Sequence, residues 1–187
     1  MITDMDTNNP FTVTGTKVVY QNPWITVHED AIIRPEGTEG IYGYLESKDS
    51  VVVVVLNEQD QVYLIRNYSY PTKEWSWELP GGSGDGEETI VASKRELAEE
   101  TGILAEDWTQ LGRVRVCNGL MTEHMTVHLA RNLTYNDRAP ADDNEIIRDE
   151  RFFSLDEIND MIQTGEVCDA QTITGLYLLE QWKKGSA

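Results

Sequence analysis

The chain reads as an α/β protein: a mixed sheet between helices, an α/β/α sandwich, preceded by a small antiparallel β unit. Three observations carry this. Runs of β-branched and aromatic residues, separated by turn residues, fill most of the first 80 positions. A Gly-rich loop at Gly81–Gly86 then opens a segment, Arg95–Ile103, made of Glu, Ala, Leu and Arg with a single Gly near its end. Further strand-like runs follow, and two helical stretches close the chain.

Taken in order, residues 1–14 are polar and read as a flexible arm, with 15–187 as one domain whose first part, 15–49, is the β unit. Within it, Thr16–Gln21 and Trp24–Ile33 have strand composition, and Pro35-Glu36-Gly37 turns the chain into Gly40–Ser47. Val51–Leu56 and Gln61–Asn67 predict a hairpin across residues 57–60, and Trp75–Leu79 leads into Pro80 and the glycine loop. For the helix behind that loop, Asp85 is the expected N-cap with Glu88 as its capping-box partner, and Gly102 suits the left-handed position that ends it. Ile90, Val91, Leu97 and Ala98 form its expected core face. Strands at Gln110–Cys117 and Met125–Arg131, an exposed acidic loop at 132–144 and a strand at 145–153 come next. Ser154–Glu157 is a second capping box, opening a helix to about Gln163 that Gly165 breaks. The last helix, about Asp169–Trp182, is expected to bury Ile173, Leu176, Tyr177 and Leu179.

Composition narrows the partners. The chain has 187 residues, 40% of them hydrophobic, enough for one good core. With 33 Asp and Glu against 15 Lys and Arg the formal charge is −18. Such a field repels polyanions and argues against nucleic-acid or anionic-membrane binding, while a small phosphorylated substrate would need local cations. The only long apolar run, Val51–Leu56, is far too short to span a bilayer, and the acidic start shows no signal-peptide pattern, so the cytoplasm is the expected location. Cys117 and Cys168 stand apart, without metal-ligand spacing, and are expected to be reduced and packed in or near the core.

Glu96, Glu99 and Glu100 fall on one side of the predicted helix, within an arc of about 100°. Carboxylates at i, i+3 and i+4 repel one another unless something positive sits among them, and a divalent metal with oxygen ligands answers that need. The spacing of the whole segment is Gly81, five residues, Glu87, seven residues, Arg95-Glu96-Leu97, one residue, Glu99-Glu100, one residue, Gly102-Ile103. This resembles the signature of the Nudix hydrolases at every fixed position. The resemblance implies a Nudix-type α/β/α sandwich and hydrolysis of the pyrophosphate in a nucleoside diphosphate linked to another group. It also implies one to three Mg²⁺ or Mn²⁺ ions held by Glu96, Glu99 and Glu100, with a carbonyl of the Gly81-Gly82 turn as a further ligand. Arg95 and Glu87 would orient those ligands.

From about Thr16 to Trp182 the chain is similar to the ADP-ribose pyrophosphatase and nucleotide-sugar hydrolase branch. The residues that carry this include Leu64–Pro71, Trp77–Gly82, Asn118-Gly119-Leu120 with Glu123, and Phe152–Glu157. Three positions depart from it. Asn118 stands where these enzymes usually have Pro, Ser69 where many have a phosphate-contacting Arg, and the loop from Gly82 to Glu87 is one residue shorter than is common. The first weakens ADP-ribose itself as substrate and the second removes an anion contact that Arg66, Arg113 or Arg115 would have to replace. For the base that activates water, the branch points to an acidic loop, here Asp142, Asp143 and Glu145, with Glu145 first and Glu123 second. Trp24, Tyr68 and Trp75 are candidates to stack on a nucleobase. The β unit resembles the element by which relatives dimerise, so a homodimer is expected. Competing readings are a pyrophosphohydrolase of oxidised nucleoside triphosphates and a non-catalytic nucleotide sensor. No metal carboxylate is missing, which speaks against the sensor.

Overall fold

The computed structural model describes residues 9–136 and 146–185. The chain folds into two compact units: the N-terminal strands through Ser47 together with Cys117–Glu123, and Lys48–Val116 with the chain from His124 onward.

In the first unit, β1 (Thr12–Gln21), β2 (Thr26–Ile33) and β3 (Glu39–Glu46) form an antiparallel sheet in the order β1-β2-β3. β1 begins at Thr12, inside the stretch expected as an arm, and is exposed along its whole length. Segment 117–123 docks on β3, where Leu45 donates its N–H to Leu120 O and accepts from Thr122 N. That addition to the β unit is not readable from sequence order.

The described residues of the second unit form two sheets. Its four-stranded mixed sheet has the order β7-β4-β9-β8, built from β4 (Ser50–Val55), β7 (Gly81–Ser83), β8 (Ile103–Arg115) and β9 (His124–Tyr135). β4 runs parallel to β9 and antiparallel to β7, its Val52 opposite Gly81. The three-stranded sheet is antiparallel, order β10-β5-β6, from β5 (Val62–Ser69), β6 (Glu74–Glu78) and β10 (Ile147–Phe153). Among the described residues three helices complete the unit: α1 (Thr89–Thr101), α2 (Leu155–Thr164) and α3 (Ala170–Gly185).

The run of valines in β4 explains its central place. A strand covered on both faces reads as a continuous apolar run, and alternation sends successive side chains to opposite sides. Val52 and Val54 pack with Leu176 and Leu179 of α3. Val53 and Val55 pack with Leu97 of α1. The two helices therefore lie on opposite faces of this strand. Val53, Val54 and Val55 are fully buried, each stabilising the fold by about 1.5–3 kcal/mol.

Several expectations need correction. β4 and β5 do not form a regular hairpin: they meet in one bridge, Leu56 with Val62, because both edges of β4 are already taken by β7 and β9. β8 and β9 are longer than expected, and residues 132–135 extend β9 rather than begin a loop. The N-cap of α1 is Glu88 and makes no side-chain cap bond. Asp85 instead sits in a turn at φ 46° with its carboxylate on Lys48 and Ser83. Gly102 does end α1 in the left-handed conformation, its N–H on Ala98 O, and Ser154 with Glu157 forms the capping box of α2. On α3 the buried residues are Thr172, Gly175, Leu176 and Leu179, while Ile173 and Tyr177 are exposed. Thr172 on that face accepts the Leu79 N–H at 3.0 Å. Both cysteines are unpaired and exposed rather than packed in the core. No helix among the described residues is long and apolar enough to cross a membrane.

Candidate active site

The site is built where β7 and α1 meet. The buried face of α1 comprises Ala92, Ser93, Glu96, Leu97 and Glu100. Two of the three motif carboxylates therefore share the helix's inward side with Leu97, while Val91, expected in the core, is exposed. Glu96 and Glu100 are 7% and 3% exposed, so their charge must be met inside the protein. Glu99 projects outward, its side chain 49% exposed.

Gly81 and Arg95 help to meet that charge. Glu100 Oε2 accepts the Gly81 N–H at 2.8 Å, tying the helix to the first residue of β7. Arg95 serves the others. Its Nη1 donates to Glu96 Oε1 at 2.8 Å and to Glu99 Oε2 at 3.1 Å, its Nε to Glu87 Oε2 at 3.1 Å, and its Nη2 to Ser83 O at 3.0 Å. Burial alone would lower the pKa of this guanidinium, but Glu87, Glu96 and Glu99 outweigh it and the shift is upward. Arg95 thus stays charged and holds three carboxylates in register, the fork geometry that Lys cannot supply.

The glycines explain the tightness of the turn. A Cβ on Gly82 would lie 2.6 Å from Glu96 Oε2, and one on Gly81 would strike the Val51 carbonyl oxygen and lie 2.9 Å from Val52 Cα. The loop is then braced from outside the motif. Asp49 accepts the His124 N–H at 3.0 Å and pairs with Arg113 at 2.8 Å, and its carbonyl takes the Gly84 N–H. Burial would raise the Asp49 pKa, but the bonds from His124 and Arg113 bring it below the ordinary carboxylate value. Lys48 grips Asp85 at 2.6 Å, lowering its pKa. These braces span 35 to 75 residues of sequence, so no local pattern announces them.

The donor set fits a divalent ion. Its oxygens are hard and anionic, two of them are on buried carboxylates, and the Glu96 carboxylate is laid against the bare backbone of Gly82. With Arg95 Nη1 standing between Glu96 and Glu99, no ready cage of three or more ligands exists among the described residues. Glu96 and Glu99 would have to turn part of their oxygens from Arg95 toward the ion.

The structure thus brings together Glu87, Arg95, Glu96, Glu99, Glu100 and Gly81. The Nudix domain family matches residues 46–174, and the nucleoside diphosphate sugar hydrolase N-terminal domain family matches residues 11–45. The chain belongs to the Nudix family. It is a Nudix pyrophosphohydrolase. Over 93% of its length it is 25% identical to the Escherichia coli protein named ADP compounds hydrolase NudE, covering 94% of that protein. Over 95% of its length it is 23% identical to a Mycobacterium tuberculosis ADP-ribose pyrophosphatase, covering 86% of it. Its fold matches the crystal structure of an ADP compounds hydrolase with a TM-score of 0.83, at 22% identity, over 96% of this chain and 97% of the other.

The remaining candidates are dispersed. Arg66 and Tyr68 lie on β5, half-buried, with Tyr68 tilted against Trp75 at 5.3 Å between ring centroids. Trp24 is 72% exposed in the β1–β2 turn of the N-terminal unit. Asn118 and Glu123 belong to the segment that docks on β3, Asn118 exposed and Glu123 half-buried. Glu145, with Asp142 and Asp143, lies outside the described residues.

Sequence reasoning gave Glu78 no role of its own. It ends β6, three residues before Gly81, and burial with the nearby Asp169 carboxylate pushes its pKa to about 7, against a bond from Asn67. An acid whose pKa is raised on folding binds its proton more tightly in the native state. Its contribution to stability is full at low pH and is lost as pH rises from the unfolded value of about 4.3 through 7. Glu78→Gln is expected to remove that slope and to raise Tm at pH 8 by roughly 2–4 °C, with little change at pH 4.5. Thermal scans across pH check this; parallel profiles for the two proteins would contradict it.

Proposed function

We propose that this Nudix enzyme hydrolyses the pyrophosphate of a nucleoside diphosphate linked to a sugar or a similar group, giving a nucleoside monophosphate and a sugar phosphate. ADP-ribose or a nucleotide sugar is the leading substrate class. The observation that carries the reading is the complete carboxylate constellation on α1, held by Arg95 against a glycine turn and followed on both sides by the branch's other features. Matches to an N-terminal domain of nucleoside diphosphate sugar hydrolases and to relatives named for ADP compounds and ADP-ribose support the substrate class.

Glu96, Glu99 and Glu100 would hold Mg²⁺ or Mn²⁺, with the Gly81 carbonyl as a further ligand. A bound divalent ion there would lower the pKa of a water and screen the charge of the diphosphate. The residues of the chain do the rest. Arg95 positions Glu96 and Glu99 from one guanidinium and is itself oriented by Glu87 and the Ser83 carbonyl. Glu100, bonded to the Gly81 N–H, couples the helix to the turn. Glu145 is the proposed base that takes the proton of the attacking water, with Glu123 the second candidate. Arg66, Tyr68, Trp24 and Asn118 are proposed substrate contacts, and the exposed N-terminal strands support a homodimer. A cytoplasmic enzyme is the location that fits this chemistry.

The deciding experiment incubates the protein with ADP-ribose, GDP-mannose, other nucleotide sugars, dinucleoside polyphosphates and nucleoside triphosphates, each with Mg²⁺ and with Mn²⁺. Release of a nucleoside monophosphate from a diphosphate conjugate is the expected outcome. Activity confined to triphosphates, or none at all, would overturn the proposal. Within that assay, Glu145→Gln should lower kcat by about 10²-fold and remove the acidic limb of the pH–rate profile. An unchanged rate and profile would assign the base elsewhere.

A further inference from the structure

The catalytic turn meets the N-terminal end of β4, where Ser50, Val51 and Val52 face Ser83, Gly82 and Gly81. At the other end of that strand, roughly 17 Å away for five residues at about 3.3 Å each, a separate cleft of about 380 Å³ opens. Its walls come from the turn after Leu56, which brings the carboxylates of Glu58 and Asp60, from Arg131 and Asn132 in the second half of β9, and from the last turn of α3 at Trp182 and Lys183. None of these residues belongs to the carboxylate site. The volume falls within the range of small-molecule pockets, roughly 300–1,000 Å³.

Arg131 gives the cleft its chemistry. Its guanidinium lies over the Trp182 ring at 5.2 Å, a cation–π contact that uses the face of the fork and not its N–H edges. Arg131 makes no ion pair with a carboxylate among the described residues, whereas Arg95 and Arg113 do. In a chain of formal charge −18, this half-buried arginine is stacked on a ring, while Asp107, opposite it on β8, is taken by Asn132. A second cation stands on the wall: Lys183 pairs at 3.2 Å with Asp60, whose side chain is 75% exposed. A pair that open is worth little and exchanges readily for a better anion. Asn132 donates its amide N–H to Asp107 at 2.7 Å, which fixes an amide that lines the cleft and carries an acceptor oxygen. The C-terminal end of α3 disfavours an anion, and Lys183 and Lys184 in its last turn oppose that effect.

We propose that this cleft is a second ligand site, which takes a phosphate monoester attached to a sugar or nucleoside. The phosphate is bound by Arg131 and Lys183, and the attached group rests against Asn132 and the Trp182 wall. A dianion suits two cations brought together at one wall, and the fork of Arg131 matches phosphate oxygens two at a time. The inference does not depend on the activity of the carboxylate site, and the test is done without divalent metal to keep that site silent.

The full-length protein in EDTA is titrated with AMP, ribose 5-phosphate and inorganic phosphate while its tryptophan indole N–H signals are followed by NMR, the Trp182 signal being identified with Trp182→Phe. A saturable shift of the Trp182 signal by either ester supports the site, and the stronger of the two names the attached group. Arg131→Met, whose stem still covers the ring, should weaken that binding about tenfold or more, as should Lys183→Gln to a lesser degree, with hydrolysis unchanged in both. Three results would overturn the proposal: no Trp182 shift with either ester, an equal response to inorganic phosphate alone, or an undiminished response in folded Arg131→Met.

Discussion

Glu99→Gln should lower kcat by about 100-fold or more at saturating Mg²⁺ while leaving Tm within about a degree of the wild type. The two halves of that expectation come from different features of one side chain. Glu99 is the motif carboxylate that faces outward, and its bond in the structure is to Arg95 Nη1 at 3.1 Å. The carbonyl oxygen of glutamine accepts the same bond, and a half-exposed ion pair stabilises a protein by less than about 1 kcal/mol, so folding loses little. What glutamine cannot supply is the negative charge that a bound divalent ion would meet. Groups one step removed from a metal typically cost 10- to 100-fold when mutated, and a ligand should cost at least as much. Circular dichroism and a thermal scan establish that the variant is folded, and initial rates over a Mg²⁺ titration give kcat. Near wild-type turnover in a folded, Mg²⁺-saturated variant would sink the assignment of Glu99.

The contrast between Glu99 and its neighbours shows which parts of the site a sequence can express. Helical period places Glu96, Glu99 and Glu100 together, and the structure agrees, because three residues within one turn of a helix have their geometry set by local backbone alone. The choice of which carboxylate is buried is not local. It depends on where α1 lies against β4 and β7, and that packing turns Glu96 and Glu100 inward with Leu97 and leaves Val91 in solvent. Asp85 makes the same point. Its sequence context has the form of a cap, yet Lys48, 37 positions earlier, takes the carboxylate and Glu88 becomes the N-cap instead. On α3, an apolar stripe pointed to Ile173 and Tyr177, whereas the helix buries Thr172, which accepts the Leu79 N–H, and Gly175, which lies against Leu79 and Val54. Glu78 and Arg131 drew no attention in the sequence for a related reason. One has a shifted pKa and the other a stacked guanidinium only because strands and helices distant in sequence meet around them. Spacing reports chemistry carried by one element, and long-range pairing decides the rest.

The adjacent glycines of the turn should separate stability from activity when each is changed to alanine. In Gly81→Ala the new methyl would meet the Val51 carbonyl oxygen and lie 2.9 Å from Val52 Cα, both of them backbone of the central strand. Neither can step aside without breaking the pairing of Val52 with Gly81 and pulling the Gly81 N–H from Glu100. A loss of about 2–4 kcal/mol is expected, from overpacking together with the loss of the Gly81 N–H bond to a buried carboxylate. In Gly82→Ala the methyl would lie 2.6 Å from Glu96 Oε2 and 2.7 Å from its Cδ, the far end of a side chain that can rotate. The backbone then survives, but the carboxylate must move by the better part of an ångström and release Arg95 Nη1, now at 2.8 Å. Misplacement of about 1 Å at a reacting centre can cost about 100-fold in rate, so Gly82→Ala should fold with a loss of only about 1 kcal/mol and yet turn over about 100-fold more slowly. Urea unfolding and initial rates on the same two preparations test the separation. If Gly82→Ala proves the less stable of the pair, or retains full activity, the Glu96 carboxylate is not held against the turn as described.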